Sequence, residues 1–111
     1  MKDQKIRPEI HEVLGKVRER LRHAYGEKLR SIVLYGSYAR GDAEEGSDID
    51  ILVVLSQFSD AAEELKQLSA IDEDLCLDYG IVLSLLPIRE QDYQGRNTPF
   101  LLNVRREGIS L

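Results

Sequence analysis

Two short apolar runs separated by a polar loop limit the fold of this chain more than any other feature. Residues 31–35 (SIVLY) and 48–55 (DIDILVVL) are rich in β-branched and large aliphatic side chains, and each has the length of a buried strand. Residues 36–47 between them are polar and include Gly36, Gly41 and Gly46. A parallel pairing needs a crossover of a dozen or more residues, usually built around a helix. The loop has room for one helical turn near Ser37–Arg40 and no more, so the two strands are expected to pair antiparallel.

Around this hairpin the apolar spacing changes from two to between three and four. Ile6, Ile10, Val13, Leu14, Val17, Leu21 and Tyr25 mark an amphipathic helix over 6–25, with Pro8 in its first turn and Gly26 as its stop. Ala61, Leu65, Leu68, Ile71, Leu75 and Tyr79 mark a second helix, with Ser59 as the expected N-cap and Gly80 at its end. Residues 81–88 (IVLSLLPI) read as a third strand, and Pro87 suits an edge or a strand end. Thr98 followed by Pro99 opens a last helix that runs to about Glu107. The helix-containing connection before residues 81–88 permits parallel pairing there. The predicted class is α/β (α+β), a small mixed sheet covered by helices, in one domain over residues 1–111.

Composition narrows the function. Twenty acidic against fifteen basic residues give a formal net charge of −5. Non-specific nucleic-acid binding rests on Lys and Arg, so this balance argues against a long DNA or RNA substrate and leaves a small nucleotide possible. No apolar run approaches the length of a membrane span and the first residues lack a signal-peptide pattern, so a cytoplasmic location is the default expectation. Cys76 is the single cysteine, flanked by Leu75 and Leu77, which excludes an internal disulfide and favours a small buried hydrophobe over a reactive thiol. His11 and His23 lie twelve positions apart on one helix, on different faces, and do not form a metal pair.

The chemistry concentrates in residues 36–50. On a strand, positions two apart share a face, so Asp48 and Asp50 present two hard oxygen ligands side by side. Mg²⁺ takes carboxylate and phosphate oxygens and keeps waters elsewhere in its shell. Such a pair can hold metal against a triphosphate and steady an in-line displacement at phosphorus. Alone, an Asp-x-Asp is more often a solvated strand end. Leu52 and Val54 share the face, however, so two carboxylates there would repel with little compensation unless cations are present. Gly36 directly after a buried strand lets backbone approach a ligand, and the Ser37 hydroxyl adds a donor for phosphate oxygen. Taken singly, a glycine-serine turn is usually only a turn. In an antiparallel pair the end of the first strand and the start of the second lie at one edge of the sheet, so both features face one cleft.

The segment GSYARGDAEEGSDIDILV resembles the signature of the polymerase-β-like nucleotidyltransferases: Gly-Ser, ten residues, then Asp-x-Asp, with residues 38–47 supplying the ten. The match through Ala39-Arg40-Gly41 and Ser47, and the ending VRREGISL, are similar to the minimal nucleotidyltransferase branch. The resemblance implies that Gly36 and Ser37 bind NTP phosphates and that Asp48 and Asp50 coordinate Mg²⁺. Arg40 either contacts phosphate or pairs with Asp42, Glu44 and Glu45 in the loop. Active relatives usually add a third acid from the neighbouring strand. Residues 81–88 contain none, and Ser84 is their only polar side chain. Asp78, just before them, is the remaining candidate for that role or an exposed acid near a helix end. Arg96, Arg105 and Arg106 suit a partner, a phosphate or a solvated helix face.

Short domains of this kind resemble the antitoxin half of two-protein systems whose other chain is a helical HEPN-type toxin, and in such pairs the acceptor can be a toxin tyrosine. The expected activity is therefore Mg²⁺-dependent transfer of a nucleoside monophosphate, AMP from ATP, to a hydroxyl of a partner protein. The alternative is a catalytically impaired module that binds a nucleotide or its partner. Modification of a small molecule is a third reading, weakened by the lack of an acceptor-binding domain.

Overall fold

The two apolar runs pair antiparallel, as their short connection requires. In a computed structural model that describes residues 8–111, β1 (Leu29–Tyr35) and β2 (Ile49–Leu55) form the centre of a four-stranded sheet. Tyr35 sits opposite Asp50 and Val33 opposite Leu52, while the register shifts between Leu29 and Ser31 where β1 begins. β3 (Leu83–Arg89) lies parallel to β2, and β4 (Ile109–Ser110) lies antiparallel to β1. The order is β3-β2-β1-β4, so Pro87 falls on an outer strand, where its missing N–H costs no central ladder bond. Residues 81 and 82, predicted as strand, precede β3, although the Val82 carbonyl accepts the Ile49 N–H at 2.9 Å.

Each face of the sheet is closed by a different set of helices, because side chains of a strand alternate. Ile49, Ile51, Val53 and Leu55 point to one side and pack with α1 (Pro8–Tyr25) and α3 (Ala61–Tyr79) through Val17, Leu21, Leu68 and Leu75. The predicted first turn at Ile6 lies outside the described residues. Leu52 and Val54 point to the other side, where they meet Val33 of β1 and Leu101 and Val104 of α5 (Pro99–Glu107). That second layer is thinner, and Tyr35 and Asp50 stay only partly buried beneath it.

Helix boundaries follow from capping chemistry. The N-cap of α3 is Asp60, not the predicted Ser59: the Asp60 carboxylate accepts the Ala62 N–H at 3.0 Å. A carboxylate there also meets the positive end of the helix dipole. Thr98 caps α5 as predicted, its hydroxyl accepting from Leu101 N–H at 3.2 Å with Pro99 in the first turn. Among the elements that the apolar pattern does not announce are α4 (Glu90–Gly95) and β4. The first is a single turn and a half, and the second exists only through its pairing with β1, so neither has a periodicity to read. The helical turn expected within the 36–47 loop is α2 (Ser37–Arg40).

Candidate active site

Gly36 is where the loop leaves β1, and its conformation ties the loop to the carboxylates. Its φ is +78°, a region that side chains rarely adopt. A Cβ at this position would lie 2.5 Å from Oδ2 of Asp50. The glycine therefore serves two needs: the turn itself, and the close approach of backbone to the Asp50 carboxylate. The Gly36 carbonyl accepts the N–H groups of Ala39 and Arg40, both at 3.1 Å, which folds residues 37–40 into α2. The N–H groups of Ser37 and Tyr38 open that turn and have no acceptor within it. Buried Tyr38 and Ala39 anchor the turn in the main core.

Asp48 stands exposed immediately before β2, and Asp50 is half-buried as the second residue of the strand. Burial first, and the charge of Asp48 second, raise the Asp50 carboxyl above its ordinary range, while the Arg40 guanidinium partly offsets them. Tyr35, across the ladder, is pushed up to about 12 by burial and by the Asp50 charge. Two acids are thus held close enough to disfavour each other, at the partly dry end of a strand. A divalent cation fits this donor set: it relieves the repulsion, and waters and phosphate oxygens can complete its shell. Among the described residues no group of three or more His, Cys, Asp and Glu is placed to hold a metal.

The structure separates the remaining candidates. Arg40 is paired with Asp42 at 3.3 Å and with Glu107 of α5 at 3.7 Å, so its loop pairing is realised. Ser47 ties its own turn, its Oγ accepting the Glu44 N–H at 2.8 Å. Asp78 is exposed in the last turn of α3 and is not gathered with Asp48 and Asp50. The residue that the register brings beside Asp50 on β3 is Ser84. Arg105 is fully engaged in structure, donating to the carbonyls of Tyr93 and Arg96 and to Asn97 Oδ1 at 2.7 Å. Arg106 instead reaches Asn103 at the site. Cys76 is half-buried, its thiol donating to Asp72 at 2.9 Å, with burial foremost in raising its pKa.

Sequence reasoning passed over the wall of the site. Tyr35, Phe100, Asn103, Val104 and Glu107 line a cavity of about 360 Å³ that opens beside Gly36 and Arg40. The α5 residues among them fall at i, i+3, i+4 and i+7, one face of a helix, a pattern that was legible but indistinguishable from ordinary packing.

A mixed sheet with a glycine-serine turn abutting an Asp-x-Asp at the start of the next strand is an arrangement of nucleotidyltransferase type. The model of the nucleotidyltransferase domain family matches residues 14–98, and the chain belongs to that family of enzymes. It is 37% identical over 89 residues to a Methanocaldococcus jannaschii protein whose name marks it as a candidate protein adenylyltransferase, covering 79% of this chain and 83% of that one. It is 37% identical over 75 residues to the protein adenylyltransferase MntA of Thermococcus cleftensis, covering 62% of this chain and 74% of that one. Among solved structures, a toxin–antitoxin complex with AMP-PNP aligns at 24% identity with a TM-score of 0.64, over 86% of this chain and 69% of that one. A Sulfolobus solfataricus nucleotidyltransferase-type protein aligns with a TM-score of 0.66 at 17% identity, over 92% and 80% of the two chains. At these identities the structural likeness speaks for the fold.

Proposed function

We infer that this chain transfers AMP from ATP to a hydroxyl of a partner protein, with Mg²⁺ held by Asp48 and Asp50. The observation that carries the reading is the contact between Gly36 and the Asp50 carboxylate, which joins a phosphate-compatible turn to the acid pair in one cleft. Similarity to proteins named protein adenylyltransferases supports the AMP and protein parts of it. The likeness in fold to chains solved in toxin–antitoxin complexes supports a helical HEPN-type partner as the acceptor.

In this reading Gly36 and Ser37 receive the β- and γ-phosphates through backbone N–H groups and the Ser37 hydroxyl. Asp48 and Asp50 would hold the Mg²⁺ that takes up the phosphate oxygens. Bound Mg²⁺ would supply charge neutralisation on the triphosphate and on the leaving pyrophosphate. The acceptor oxygen bonds to the α-phosphorus, the bond from that phosphorus to its bridging oxygen breaks, and the hydroxyl proton passes to solvent as pyrophosphate departs. In-line displacement puts the acceptor opposite the leaving group. With the phosphates on the β1 side, it approaches over β3 and Ser84.

A second reading is favoured by one specific observation: Ser84, rather than an acid, occupies the position beside Asp50. A domain with an incomplete site would bind its partner and neutralise it stoichiometrically. The test is α-labelled ATP with Mg²⁺ and a helical HEPN-type protein co-expressed with this chain as the acceptor. Covalent label on that protein supports transfer. Neutralisation of the partner without label supports the binding module.

A further inference from the structure

The cavity beside Gly36 is not explained by phosphate binding. Its walls are the Tyr35 ring, the Phe100 ring and the aliphatic Val104, and its polar end carries Asn103 with Arg40, Arg106 and Glu107. Tyr35 and Phe100 meet edge to face, with centroids 5.3 Å apart at 87°, which fixes the Phe100 ring although it is 45% exposed. The two guanidinium groups are already engaged: Glu107 lies 3.7 Å from Arg40 and 3.5 Å from Arg106. A carboxylate between two cations and an aromatic wall form a poor site for a polyanion. They suit a flat, uncharged heteroaromatic ring with hydrogen-bonding edges. The volume, about 360 Å³, is in the range of small-ligand pockets.

Placement agrees with this. The cavity starts at Gly36, against the Asp50 carboxylate, so a nucleotide whose α-phosphate lies at the acid pair has its nucleoside within reach of the slot. We propose that the slot between the end of β1 and α5 is the nucleobase subsite, with Phe100 as the stacking surface and Asn103 as the residue that reads the base edge. Arg106 holds the Asn103 carboxamide oxygen at 2.9 Å, which turns the amide N–H groups into the donors available to a ring nitrogen or carbonyl. α5 lies beyond residues 14–98, the part matched by the nucleotidyltransferase family model, so base preference rests on an element outside the shared core.

This subsite rests on the nucleotide-binding reading above, and the test separates the two. Calorimetric titrations with Mg²⁺ compare ATP with inorganic tripolyphosphate, which has the phosphates and no base. Phe100→Ala is expected to weaken ATP about tenfold and to leave tripolyphosphate within about twofold, because base–aromatic stacking is lost and phosphate contacts are kept. Phe100→Tyr, which retains the ring, is expected to bind ATP nearly as the unaltered chain does, and it guards against a folding defect in the alanine variant. Asn103→Asp is expected to reorder affinities among ATP, GTP, CTP and UTP. The subsite is overturned if Phe100→Ala leaves ATP affinity unchanged or weakens tripolyphosphate to the same degree. If the unaltered chain binds neither ligand, the nucleotidyl-transfer reading falls with it.

Discussion

At the scale of single residues, the site depends on an atom that is missing. Gly36 is in a left-handed conformation, and any Cβ there would press on the Asp50 carboxylate. Gly36→Ala combines backbone strain with that clash and is expected to destabilise the fold by about 1–3 kcal/mol. It should also lower nucleotidyl transfer by about 100-fold or more, since a displacement of one ångström at a reacting centre costs that much. Thermal unfolding together with transfer rate checks both. A variant with normal stability and normal transfer would remove the close approach from the account. Asp50 shows the opposite tension: burial and Asp48 penalise its charge, a cost that the fold tolerates at a position where the proposed transfer needs two acids.

At the scale of elements, glycines again separate two roles. Gly15 is exposed in the middle of α1, and a Cβ there would meet nothing within 4 Å. Gly15→Ala is expected to stabilise by about 0.5–1 kcal/mol through helix propensity and loss of chain entropy in the unfolded state. Gly108 links α5 to β4, and a Cβ there would lie 2.5 Å from the Val104 carbonyl and 2.6 Å from Val33. Its φ of −67° is ordinary, so packing alone forbids a side chain. Gly108→Ala is expected to cost about 1–3 kcal/mol, as overpacking does, and to loosen α5 over the site. Paired chemical-denaturation curves would measure both, and equal midpoints for the two variants would contradict the account.

The elements that could be read in advance were those whose pattern is local. The strands and α1, α3 and α5 carry their period, α3 and α5 carry caps as well, and a loop with room for only one helical turn favours an antiparallel hairpin. Asp48, Asp50, Gly36 and Ser37 could be placed at one edge of the sheet because antiparallel pairing converts their sequence separation into nearness. Ser59 and Asp60 are both good caps by residue type, and only the backbone decides between such neighbours. Phe100, Asn103 and Glu107 were not legible as a pocket wall, since what they face is set by how α5 crosses the sheet. The same holds for Tyr35, which matters only through its register with Asp50.

At the scale of the whole molecule, charge and acid–base behaviour set the conditions of use. The net charge of −5 disfavours a long nucleic acid as acceptor, and no helix among the described residues is long and apolar enough to cross a membrane. Tyr25 fastens α1 to α3, its hydroxyl donating to Glu64 at 3.3 Å, and burial foremost pushes its pKa up to about 12 from 10.0. The folded chain therefore keeps this proton over a range where the unfolded chain has lost it. The stability that this difference represents is complete below pH 10 and is lost as pH rises towards about 12. The unfolding midpoint should fall across that window, and Tyr25→Phe should flatten the fall. An equal slope in both proteins would show that Tyr25 is not the group responsible.

The central claim is that Asp48 and Asp50, the latter set against Gly36 by the β1–β2 hairpin, carry the proposed transfer. Its most direct measurement is covalent labelling of the partner protein from α-labelled ATP with Mg²⁺, comparing the unaltered chain with the Asp48→Asn/Asp50→Asn double variant. The account predicts label with the first and a loss of at least about 1,000-fold with the second, in a protein that stays folded. Label that persists undiminished in the double variant would contradict it.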